Sequence, residues 1–248
     1  MNNTALAFLM CFLAGVSTVI GSIISLFAKR TSKGFLSFAL SFSAGVMIYA
    51  SLTEIMNKSV NSFNESFTQK QSFLYSCLCF LSGMLIIFLI EKLLPENKNK
   101  LNKTGVYTAV AMGIHNFPEG LATFVSALKS PALAIPITVA IAIHNIPEGI
   151  AVSVPIYFST GNRKKAFFIS FLSGIAEPAG ALIGYLLLRK RLNETVFGIL
   201  FGLVAGIMTF ISLTELIPSS VEDKSNDKSV SGIISGMAVM ALSLYLFK

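Results

Sequence analysis

Eight apolar runs, each close to the roughly 20 residues that a helix needs to cross a bilayer, take up most of this chain. They cover about 6–28, 35–56, 73–94, 105–128, 132–157, 166–188, 196–217 and 230–247. Hydrocarbon offers the backbone no hydrogen-bond partners, so runs of this length must be helices that bond within themselves. Only 12% of the 248 residues are charged and 54% are hydrophobic, against about 25% charged in soluble domains. The expectation is an all-α polytopic membrane protein, one transmembrane domain over 1–248. The first run lacks a basic leader and is too long for a signal-peptide core, so it reads as a helix that stays. Cys11, Cys77 and Cys79 have no metal or redox spacing and read as small buried apolar residues.

An even number of crossings puts both termini on one side. The net charge of +7 does not point to nucleic acid, because the basic residues sit in the short turns between runs. One side collects Lys29, Arg30, Lys33, Lys92, Lys98, Lys100, Lys103, Arg163, Lys164, Lys165, Lys224 and Lys228. The other has Lys58, Lys70, Lys129, Arg189, Lys190, Arg191 and Lys248. Positive-inside bias turns the richer side to the cytoplasm and leaves both termini outside it, in a cell inner (plasma) membrane. Arg189, Lys190 and Arg191 pull the other way.

The runs also repeat. Phe12-Leu13-Ala14-Gly15 answers Phe171-Leu172-Ser173-Gly174, with Gly21 answering Gly180. Ala44-Gly45-Val46-Met47 answers Ala205-Gly206-Ile207-Met208, and Ser51-Leu52-Thr53-Glu54 answers Ser212-Leu213-Thr214-Glu215 in the same frame. Ser82-Gly83-Met84 answers Ser235-Gly236-Met237. Helices one to three therefore echo six to eight, and four echoes five. Both offsets reverse direction in the membrane, which is the pattern of an inverted repeat with its binding site near the midplane.

The fourth and fifth runs carry His115-Asn116-Phe117-Pro118-Glu119-Gly120 and His144-Asn145-Ile146-Pro147-Glu148-Gly149, which hold the only two histidines. An ionisable group at mid-membrane costs about 2.5–3.5 kcal/mol on insertion scales and marks a functional site by default. Residues four apart share a helix face, so His115 points with Glu119 and His144 with Glu148. Two antiparallel helices would bring two imidazoles and two carboxylates to one depth, a shell suited to a divalent metal. Asn116 and Asn145 lie beside each histidine, at the edge of the same site or of a neighbouring one. Pro118 and Pro147 lack an N–H, leave the Ile114 and Ile143 carbonyls without their helical partner, and should kink both helices.

Glu177 on the sixth run, before Pro178, is a further carboxylate with no Lys or Arg in any apolar core to pair with it; its counterpart is Thr18. Glu54 and Glu215 fall near helix ends, as interfacial carboxylates or as pathway mouths. Met47 and Met208 read as core packing or as soft ligands on the route.

The paired motif resembles the ZIP family of metal transporters, in particular its short bacterial ZupT/GufA-like branch. That pattern is His-Asn-x-Pro-Glu-Gly on helix four and His-x-x-x-Glu on helix five, and the likeness runs through nearly the whole chain. It implies a 3+2+3 helix arrangement and a binuclear centre. By matching position, His115, Glu119, His144 and Glu148 would form the first metal site. Asn116, Asn145 and Glu177 would form the second, with Glu119 and Glu148 bridging. The loop at 95–104 is short, lysine-rich and free of histidine, unlike the long histidine-rich loop of many members.

The reading is an importer of divalent metal by alternating access, zinc first, with iron, manganese, cobalt and cadmium admissible on the same ligands. The metal is cargo, not a cofactor, and no catalytic role is expected. Partners are metal ions and the lipid bilayer, with a homodimer admissible and no nucleic acid. A selective channel on the same fold is the first rival. An intramembrane metalloenzyme is the second, though no helix carries the two histidines of a zincin motif.

Overall fold

The computed structural model of the protein describes residues 3–27, 29, 32–93, 99–129, 131–188, 193–221 and 226–247. Arg30, Lys98, Arg189, Lys190, Arg191, Lys224 and Lys248 of the charge argument lie outside the described residues, as do 95–98 of the short basic loop. Eight helices follow one another among the described residues, with no strand: α1 (Asn3–Phe27), α2 (Lys33–Asn64), α3 (Gln69–Leu93), α4 (Lys100–Lys129), α5 (Pro131–Thr160), α6 (163–188), α7 (Glu194–Val221) and α8 (Asn226–Phe247). Six of them, all but α4 and α5, are long and apolar enough to cross a membrane on length and composition alone. The protein is an all-α, multi-pass membrane protein.

Polar side chains set several helix starts. Ser32, Asn162 and Asn193 accept the backbone N–H of Phe35, Lys165 and Val196 at the first turns of α2, α6 and α7. α2 continues eight residues past the end of its apolar run, from Met56 to Asn64. Lys58 pairs with Glu54 one turn back at 2.7 Å, and Ser59 donates to the Gly198 carbonyl of α7 at 2.6 Å. The extension is amphipathic and packs on α7, which the apolar run alone could not announce.

Packing obeys a two-fold exchange that maps α1 to α6, α2 to α7, α3 to α8 and α4 to α5. α1 packs on α5 as α6 packs on α4; α2 packs on α8 as α7 packs on α3. The contacts match residue by residue. Ser59 meets Ser76 at 2.9 Å, and its counterpart Ser220 meets Ser229 at 2.6 Å. A Cβ at Gly45 would strike the Ile233 backbone, and one at Gly206 the Phe80 backbone, which is the same contact in the other half.

Both Ser-Leu-Thr-Glu segments widen into a single π turn, Ser51–Ile55 in α2 and Ser212–Leu216 in α7. Ser51 and Ser212 donate back to the Met47 and Met208 carbonyls at 2.7 and 2.8 Å. Thr53 and Thr214 do the same to Tyr49 and Phe210. Hydroxyls competing for helix carbonyls are a local cause of such widening. A third π turn, Gly180–Gly184 in α6, has no counterpart in α1, which is plain helix through Phe27. α4 and α5 run unbroken across Pro118 and Pro147, so neither proline ends its helix.

Candidate metal centre

α4 and α5 lie side by side at the centre, with α1, α2, α6 and α7 around them. Helical spacing places His115 and Glu119 one turn apart on α4, and His144 and Glu148 one turn apart on α5. All four are buried, between 0% and 8% exposed. His115 Nε2 lies 3.2 Å from Glu119 Oε2 and 3.1 Å from Glu148 Oε1. His144 Nε2 lies 3.0 Å from Glu119 Oε1. Glu119 thus reaches both imidazoles, and the four side chains expected at one depth do meet.

These contacts leave most of the donors unsatisfied. His115 Nδ1 and Nε2, His144 Nδ1, Glu119 Oε2 and both oxygens of Glu148 have no aligned hydrogen-bond partner among the described residues. His115 is close to the two carboxylates but badly angled to them. Each unmet buried polar atom costs about 1–3 kcal/mol, so the cluster is poorly satisfied on its own. Two ligands about 2.0–2.1 Å from a tetrahedral zinc stand roughly 3.3 Å apart, a few tenths of an ångström more than these N···O separations. Among the described residues no group of three or more His, Cys, Asp or Glu is already spaced around an ion. The side chains are drawn onto one another and would have to part slightly to admit one.

A second layer lies toward α1 and α6. Asn145 donates to Glu177 Oε2 at 2.7 Å and to the Ala14 carbonyl at 3.0 Å. Asn116 donates to the Ser173 carbonyl at 3.0 Å, the counterpart of Ala14. The Oδ1 atoms of both asparagines and Glu177 Oε1 have no hydrogen-bond partner among the described residues. Asn145 therefore joins Glu177 directly, whereas Asn116 is tied to the α6 backbone. Gly120 and Gly149 permit this closeness: a Cβ at Gly120 would overlap the Glu177 carbonyl, and one at Gly149 the matching Thr18 carbonyl. Cys11 is buried with its thiol 3.5 Å from the Gly120 carbonyl, and all three cysteines are free.

A cavity of about 290 Å³ leads to His115 and Glu119 from one end of the bundle. Its wall includes Lys58, Asn61 and Ser62 at the end of α2, Thr123 and Val125 of α4, Ile141 of α5, and Glu194, Phe197 and Phe201 of α7. The other half is packed more tightly at two of the matching places: Leu40 and Val154 are fully buried in the main core, whereas Phe201 and Val125, which they answer, are partly exposed. Leu36, Met112 and Val152 are buried, as are Phe197, Ile141 and Thr123. Met47 and Met208 are in that core too, as packing residues. On the more tightly packed side Thr104 of α4 donates to Glu215 of α7 at 2.8 Å and meets Ser219 at 3.0 Å, with Lys103 bridging 2.9 Å to Glu91. Glu54, at the open end, pairs with Lys58 instead. The Thr104–Glu215 link, Asn61 and Glu194 carry no signal in the sequence, because lone polar residues near helix ends look like ordinary interface.

The family profile described as ZIP Zinc transporter matches residues 94–244, which contain both motifs and Glu177. The chain is 51% identical to the "Zinc transporter ZupT" of Streptococcus mutans serotype c, with 97% of each chain covered. It is 49% identical to the protein of the same name from Clostridium perfringens, over 100% of this chain and 98% of that one. It is 48% identical to that of Chlorobium chlorochromatii, over 99% of both. Paired His-x-x-x-Glu helices, a two-fold exchange of the helices around them and full-length likeness lead to one conclusion: this chain belongs to the ZIP zinc transporter family.

Proposed function

We propose that the chain carries zinc across the cell membrane, with His115, Glu119, His144 and Glu148 as the transport ligands and Asn116, Asn145 and Glu177 as a second, adjoining set. The observation that carries this reading is the meeting of four buried, poorly satisfied ligand side chains, two of which, His115 and Glu119, line a cavity. Two imidazoles and two carboxylates suit a borderline divalent ion, and iron, manganese, cobalt and cadmium can compete for such a shell. The full-length likeness to proteins named zinc transporters supports zinc as cargo.

The cavity opens where α2 ends and α7 begins, the side on which α1 starts. By the lysine and arginine bias that side is extracytoplasmic, which makes this an outward-open, inward-closed form and the transport direction import. Exchange of the two half-structures would close Phe201 and Val125 and open Leu40 and Val154, which is alternating access. All eight helices then form one transport domain in the bilayer. Tight packing at the inner end, where Leu40 and Val154 are fully buried, supports a carrier over an open channel.

Equilibrium zinc binding to purified protein tests the ligand set. Wild type should bind zinc saturably, and Glu119→Gln or His144→Ala should weaken binding by about 100-fold or more, since even outer-shell changes cost 10–100-fold. Unchanged binding in correctly folded variants would remove these residues from the site.

A further inference from the structure

One stripe of α4 is left open although the helix is otherwise enclosed. Val106, Ala109, Val110, Gly113, Ile114 and Phe117 recur every three or four residues and are partly exposed. With Ile169 and Leu172 of α6 they wall an apolar groove of about 700 Å³, in which Ser173 is the only polar side chain among the described residues. At three of the matching positions α5 holds a larger residue, Ile135 for Val106, Thr138 for Ala109 and Ala142 for Gly113, while Ile146 answers the larger Phe117. A Cβ at Gly113 would meet nothing within 4 Å.

The groove has a length and a charged end. From Val106 to Phe117 a helix rises about 16 Å, close to the roughly 15 Å depth of one hydrocarbon leaflet. α4 and α6 both begin at the shallow end, where Arg163, Lys164 and Lys165 are exposed. Arg163 is engaged by the Tyr157 hydroxyl at 3.3 Å, while Lys164 and Lys165 face solvent. Apolar volume one leaflet deep below a basic rim is complementary to one kind of molecule. We propose that this groove holds an acyl chain of an anionic phospholipid whose headgroup phosphate rests on Lys164 and Lys165. An apolar chain fills space that would otherwise lack dispersion contacts, and the lysines select headgroup charge. The deep end of the groove is Phe117, Pro118 and Ser173, and the Ser173 carbonyl is the acceptor of Asn116. The lipid would therefore brace α4 against α6 directly beside the metal ligands.

The test uses the full chain extracted from vesicles of phosphatidylcholine with a minor share of phosphatidylglycerol, and native mass spectrometry of what stays bound. Wild type should retain phosphatidylglycerol in preference to phosphatidylcholine. Lys164→Gln with Lys165→Gln should lower that retention by roughly tenfold or more, since each surface lysine contributes about fivefold near an anionic leaflet. Gly113→Leu should displace lipid of either headgroup. Equal retention in wild type and the double lysine variant, or no preference between the two lipids, would overturn the proposal. So would a dimeric wild type that becomes monomeric on Gly113→Leu with lipid retention unchanged, which would assign the groove to a second copy. The lysine variant alters only exposed side chains, so it decides the matter even if Gly113→Leu does not fold. Lipid retention is read without zinc, so its failure leaves the transport-ligand reading standing, and failed zinc binding leaves the lipid site standing.

Discussion

Glu119 is placed differently from the other carboxylates. It reaches both imidazoles, at 3.2 and 3.0 Å, whereas Glu148 reaches only His115, at 3.1 Å. Glu119→Gln is therefore expected to weaken zinc binding more than Glu148→Gln, a ranking that calorimetric titration of both variants checks. Asn145→Ala should cost less, about tenfold, because Asn145 lies in the adjoining set, hydrogen-bonded to Glu177. At Gly120 the issue is space. A methyl group there overlaps the Glu177 backbone, so Gly120→Ala must push α4 from α6 and is expected to destabilise the protein by about 1–3 kcal/mol. Thermal unfolding in detergent measures it, and an unchanged midpoint would show that the two helices are not held so closely.

Among the elements, α2 and α7 differ in what holds their π turns. Glu215 is bound to Thr104 of α4, while Glu54 is bound to Lys58 of its own helix. The first contact ties α4 to α7 on the closed side, and no equivalent contact is formed on the open one among the described residues. A hydrogen bond to a charged group contributes about 1.5–3 kcal/mol, so Thr104→Val should shift the balance toward the inward-open form by roughly tenfold or more. Labelling of a cysteine placed at Val154, fully buried here, should speed up accordingly when reagent is supplied from the inner side. The sequence made much of this scaffold legible. Apolar runs marked the helices, and the Ser-Leu-Thr-Glu pair and matched glycines marked the repeat, because close backbone contact needs glycine at fixed places. His115 with Glu119 and His144 with Glu148 were legible from four-residue spacing alone. The amphipathic end of α2, the third π turn at Gly180–Gly184 and the Thr104–Glu215 link were not. Each depends on which neighbour a polar or small residue meets, and a single sequence does not carry that.

Over the whole molecule, two halves of one design are held in different states, with Phe201 and Val125 partly exposed along a cavity and their counterparts Leu40 and Val154 fully buried. The cavity brings water, and with it protons, to the ligands from one side. Metal ligation needs neutral imidazole and ionised carboxylate, so binding releases protons. As pH falls the ligands hold their protons more firmly, and zinc uptake should lose apparent affinity in acid and recover it toward neutrality. Uptake rates across a pH series at fixed free zinc check the sign. The most direct measurement is radiolabelled zinc uptake into vesicles holding wild type, Glu119→Gln or His144→Ala, with iron, manganese and cadmium as competitors. Saturable uptake by wild type, lost in both variants, is the expected result and would place the transport step on α4 and α5. Uptake indifferent to both substitutions in folded protein would contradict it and move the pathway elsewhere in the fold.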